Sequence, residues 1–119
     1  MNFDDAITAH SQWKMRLQAV INGTSKETLD PAVVCLDNKC VLGQWIYGEA
    51  KQYSGTNEYV ELVKEHAHLH RCAAETLRLA QSGKTDEAKT TLEMGGVFID
   101  ASIRTINAIR HLRKKVETA

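Results

Sequence analysis

Apolar residues recur along this chain in alternating steps of three and four, the spacing that lines one face of an α-helix. The first stripe runs through Phe3, Ala6, His10, Trp13, Leu17 and Val20 and stops at Asn22-Gly23, a pair suited to a helix C-cap. Residues 24–41 are less regular, although Asp30-Pro31 has the form of an N-cap and first helical residue. A short helix is predicted over LGQWIYGEAKQY, ended by Ser54-Gly55, after which Thr56 can cap the next. Its stripe, Tyr59, Val63, His66, His70, Ala73, Leu77 and Ala80, keeps the rhythm of a packing seam and places two histidines in the core. Gly83 interrupts the pattern, and from Thr85 a last helix is predicted through Ala88, Leu92, Gly95, Ile99, Ser102, Ile106, Ile109, Arg113 and Val116. Short turns between long helices favour antiparallel neighbours. The expected fold is therefore all-α: an antiparallel four-helix bundle, with a short helix carrying the cysteine region, in one domain over residues 1–119.

Composition supports helices and narrows the function. A single proline and 43% hydrophobic residues, among good helix formers, leave no reason to expect strands. Fifteen basic residues balance fifteen acidic ones, so no net basic field draws the chain to nucleic acid or an anionic membrane. No apolar run approaches the ~18 residues of a membrane span, and MNFDDAITAH lacks the basic and apolar regions of a signal peptide. The expected location is cytoplasmic, without membrane insertion. Three cysteines in such a chain point to reduced thiols or metal ligands before disulfides.

The candidate chemistry is a metal site. His66 and His70 lie four apart, so their imidazoles can converge on one ion; with His10 and Cys40 they form a donor set that suits zinc. A lone histidine on an apolar stripe more often serves as a hydrogen-bonded core residue, but two on one seam would bury polar nitrogens with few partners. His68 and Cys72, each two residues from His70, are turned about 200° away and are not expected to bind the same ion. His111 reads as surface, and Cys35 as a small buried hydrophobe or a substitute ligand. Folding back about Gly83 would bring Gly96 near His70 and Asp100 near His66. The Gly95-Gly96 pair, costing about 1 kcal/mol per glycine in a helix interior, would then make room for the imidazoles, although a plain close contact or a kink accounts for it equally well.

The segments AHSQW, KCVLGQW and HAHLH, in that order over residues 10–72, resemble the signature of the chemoreceptor zinc-binding (CZB) domain family. The resemblance implies a four-helix bundle holding one zinc per chain through His10, Cys40, His66 and His70. Leu42, Gly43 and Trp45 complete the cysteine motif, and Trp13 and Trp45 match the family's aromatic positions, which are read as packing. It further implies a sensory role beside a chemoreceptor or diguanylate cyclase output module, and a homodimer, for which Val97, Phe98, Ile103 and Leu112, off the main stripe of the last helix, would supply apolar surface. The signal implied is zinc or an oxidant such as hypochlorous acid acting on Cys40; a zinc-stabilised dimerisation bundle without sensing is the alternative.

Catalysis fits less well. A metalloprotease helix needs Glu directly after its first histidine, where Ala67 stands. Four candidate ligands would also close the tetrahedron that hydrolytic zinc leaves open. Di-iron sites need Glu three residues before each histidine, where Val63 and Ala67 stand. The expectation is a regulatory protein and not an enzyme.

Overall fold

The computed structural model describes residues 3–118. Every regular element among them is helical: α1 (Phe3–Asn22), α2 (Pro31–Val34), α3 (Val41–Tyr47), a 3₁₀ turn (Glu49–Tyr53), α4 (Asn57–Gln81), α5 (Thr85–Thr91) and α6 (Val97–Thr118). The helix ends follow local chemistry. Past Asn22, the Thr24 amide returns to the Ala19 carbonyl at 2.9 Å, and the Lys84 amide reaches Leu79 in the same way after Gly83, both satisfying carbonyls a helix end leaves free. Asp30 caps α2 through the Ala32 amide at 3.0 Å, and Thr56 caps α4 through the Tyr59 amide at 3.1 Å, contacts worth about 1 kcal/mol each.

Helices α1, α4 and α6 pack on one another. The hydroxyl of Thr105 reaches the Glu65 carbonyl and His111 meets Glu61, while His10 meets Ser102 and Asp4 meets Arg113. Helix α6 therefore runs opposite to both α1 and α4, and those two run in the same direction. The space between the ends of α1 and α4 is filled by α2 packed on α4 and α3 packed on α1.

The core has two apolar halves. One gathers Trp13, Leu17, Val34, Leu69, Leu77 and Phe98; the other gathers Ala6, Leu42, Trp45, Leu62, Ile109 and Leu112. Between them, in order along each long helix, come His10 on α1, His66 on α4 and Ser102 with Thr105 on α6, a polar layer between the two apolar halves. Cys40 packs against both halves.

The last third of the chain departs from the expected continuous helix. It breaks at residues 92–96, where Gly95 has φ +84°, a left-handed conformation that residues with a Cβ avoid. A Cβ on Gly96 would overlap the carbonyls of Thr90 and Thr91. The glycines are thus required by a turn and by close approach to their own chain; they do not make room for imidazoles. Because that turn takes up residues, the pairing of α4 with α6 slips by about one helical turn, setting Thr105 where Asp100 was expected, and Asp100 lies exposed. Phe98 and Leu112, expected to lie off the core stripe, are 1% and 0% exposed, whereas Val97 and Ile103 do face solvent. The buried face of α6 is simply wider than a narrow seam.

Candidate metal centre

Cys40 immediately precedes α3 and caps it. Its Sγ accepts the Gly43 amide at 3.2 Å, as a serine or aspartate oxygen does at other helix starts. A side chain on Gly43 would collide with the carbonyl of Asp37, so the glycine lets α3 begin close against the preceding loop and directs the sulfur inward. Tyr47, on the same helix, donates to Asp37 Oδ2 at 2.5 Å and holds that loop from the other side. Leu42 and Trp45 are buried and anchor α3 in the core, with Phe3 edge-on to Trp45 at 5.3 Å.

From α4, His66 and His70 meet this sulfur. Cys40 Sγ lies 3.3 Å from Nε2 of each, and the two Nε2 atoms are 3.0 Å apart. The second ring nitrogen of His70 lies 2.7 Å from the Val34 carbonyl. A carbonyl only accepts, so His70 Nδ1 carries the proton and Nε2 presents its lone pair to the triangle. This backbone partner is the kind of outer contact that orients metal-bound histidines. Trp13 stands edge-on to His70 at 5.4 Å, and Arg16 covers its ring at 4.1 Å while forming a bidentate pair with Glu27.

His10 is not part of the triangle. Its Nε2 is 2.9 Å from Ser102 Oγ, and its Nδ1, like that of His66, is buried without a hydrogen-bond partner among the described residues. Burial holds the imidazoles neutral: it is the main cause that lowers His10 to about 4 and His66 to about 3, and it lowers His70 as well, against the opposing pull of the Val34 carbonyl. Burial likewise pushes the Cys40 thiol up, opposed by the Gly43 amide. Neutral imidazoles offer free lone pairs, and the thiol loses its proton as it takes a metal.

The donor set fits zinc. Zinc–nitrogen and zinc–sulfur bonds of about 2.0–2.1 and 2.3 Å set tetrahedral edges of roughly 3.3–3.6 Å, a few tenths wider than the triangle here. His70 carries its proton on Nδ1, so its Nε2 lone pair is free to face a cation at the centre of the triangle, with His66 Nε2 and the Cys40 sulfur as the other donors. Cys40 alone of these side chains is half-buried; His10, His66 and His70 are 1–2% exposed. It lines a cleft of about 260 Å³ that also reaches Trp13, Arg16 and His70, and a neighbouring one of about 210 Å³ beside His10 and His66.

The sequence stripes foreshadowed the inward histidines. They did not single out Ser102 as a partner, although a serine on an apolar stripe is a visible signal, or the Val34 carbonyl, which leaves none because any residue supplies one. Cys35 donates to the Ala32 carbonyl at 3.2 Å and packs against the core, outside the triangle. His68 and His111 are exposed.

Residues 10–77 match the family model of the chemoreceptor zinc-binding domain, a span that takes in all four candidate ligands. Comparison with curated proteins and with solved structures finds no match.

Proposed function

Because the chain belongs to the chemoreceptor zinc-binding domain family, we propose that it is a regulatory zinc domain in which Cys40, His66, His70 and His10 hold one zinc ion and Cys40 is the responsive member. The observation that carries this reading is the convergence of one sulfur and two imidazole nitrogens within 3.3 Å of one another. His10 completes the set; its burial beside the triangle and its unpartnered Nδ1 support that role. Bound zinc would hold the Cys40 sulfur as thiolate, the form oxidants attack.

The half-buried sulfur favours an oxidant as the signal, with zinc occupancy itself as the companion form. The Cys40 thiolate attacks the chlorine of hypochlorous acid and hydroxide leaves; water then displaces chloride from sulfur, so sulfur is oxidised by two electrons to sulfenic acid and chlorine is reduced to chloride. The same sulfur caps α3, so oxidation weakens a ligand and a helix start together, giving a two-state element for a partner to read. We read the domain as cytoplasmic and regulatory without catalysis, a homodimer serving a chemoreceptor or diguanylate cyclase output module, with no nucleic-acid partner. The antiparallel four-helix bundle belongs to the same reading, supported by α6 running opposite to both α1 and α4. Exposed Val97 and Ile103 support a covered face, and no helix among the described residues is long and apolar enough to cross a membrane.

The test is metal content after purification without added zinc, in wild type and in His10→Ala, Cys40→Ser, His66→Ala and His70→Ala, followed by limited hypochlorous acid. One zinc per chain, weakened in every variant, and zinc release from wild type but not through another thiol in Cys40→Ser are expected. A metal-free wild type, or equal oxidant response in Cys40→Ser, overturns the reading.

A further inference from the structure

The side chains that point away from the triangle meet each other. His68 and Cys72 are four apart on α4, and Cys72 Sγ lies 3.6 Å from His68 Nε2. The sulfur belongs to a residue only 8% exposed, at the margin of the core half that contains Phe98, while His68 is on the solvent side.

We propose that His68 and Cys72 form a second, outward-facing chelate for a borderline or soft divalent cation, Zn²⁺ or Cd²⁺, weaker than the core site and independent of it. The bond lengths of tetrahedral zinc require a sulfur and an imidazole nitrogen to stand about 3.5–3.6 Å apart, the separation already present here and closer to that edge than any side of the core triangle. Both residues are carried by the interior turns of the 25-residue helix α4, so no backbone must be ordered to bring them together, and rotamer freedom is the main conformational cost of binding. At 3.6 Å the existing contact is a weak one for a thiol and an imidazole, so little is lost when a metal replaces it. On binding, the sulfur–hydrogen bond is exchanged for a sulfur–metal bond and the proton passes to the buffer. The exposed imidazole leaves the remaining coordination positions to water, which keeps the affinity below that of a site with four protein ligands. The chain then takes one cation at low free zinc and a second as free zinc rises.

The experiment titrates the zinc-loaded full chain with further Zn²⁺, measuring bound metal by equilibrium dialysis and alkylation of each cysteine by iodoacetamide with mass spectrometry. A second, weaker equivalent is expected, together with loss of Cys72 alkylation as it fills. His68→Gln and Cys72→Ser should each lose that equivalent and retain the first, whereas Cys35→Ser should keep both; helicity by circular dichroism verifies that each variant is folded. Saturation at one equivalent, or a second that survives in both His68→Gln and Cys72→Ser, overturns the proposal. Absence of the tight first equivalent with the Cys72-protecting one still present would count against the core site alone.

Discussion

At the scale of single residues, the centre depends on imidazoles that the fold keeps from ionising. Their acid response has a definite sign. An imidazole whose pKa in the folded chain is about 4 or 3, as for His10 and His66, gains its proton near the ordinary value of 6.5 only once the chain unfolds. Protons therefore favour the unfolded state between about pH 6.5 and those lowered values, and the penalty vanishes above 6.5. Metal-free protein should be most stable above pH 6.5 and lose stability steadily as the pH falls toward 4, by about 1.4 kcal/mol per pH unit for each histidine that titrates fully. Urea denaturation of the chelated protein at pH 7.5, 6 and 5 checks this, and a midpoint unchanged across that range would show that these histidines are not held neutral. The same residues explain why Cys40 and Gly43 occur together: the sulfur needs the Gly43 amide as its donor, and Asp37 leaves no room there for a Cβ.

At the scale of elements, the turn between α5 and α6 is separable from the metal centre. Gly95→Ala must force a left-handed residue to carry a Cβ, and Gly96→Ala must push aside two carbonyls of α5. Each is expected to cost about 1–3 kcal/mol while zinc per chain stays at the wild-type value; a fall in zinc content of the folded variants would return the glycines to the site. The helix starts at Pro31 and Asn57, the ends at Asn22 and Gln81, and the inward His66 and His70 were legible because caps and a 3.6-residue period are local properties of the chain. The α5–α6 break was not, because Gly95 falls in step with the apolar rhythm and the pattern runs through it unbroken. Register was lost for the same reason, since a turn counted as helix displaces every pairing beyond it. His10 was legible as inward-facing, but its Ser102 contact depends on that register. Cys72 was legible as turned from the triangle, yet its burial was not, because the core face of α4 is wider than the stripe through His70.

At the scale of the whole molecule, the polar layer of His10, His66, Ser102 and Thr105 lies between two apolar halves, so whatever satisfies that layer couples them. Structural zinc can contribute on the order of 10 kcal/mol, and chelation should lower the melting temperature well beyond the effect of the chelator on Cys40→Ser; equal shifts in the two proteins would remove zinc from the stability of the fold. The placement of the two tryptophans makes the coupling visible. Trp13 stands against His70 in one half, and Trp45 against Phe3 in the other. Indole emission responds to its immediate neighbours, so Trp45→Phe leaves a chain whose fluorescence follows the half beside His70, and Trp13→Phe one that follows the opposite half. If the halves melt as a single cooperative unit, the two emission curves superimpose; if removal of the ion uncouples them, the Trp13 curve moves first, and the molecule carries its own label-free optical record of where it begins to come apart.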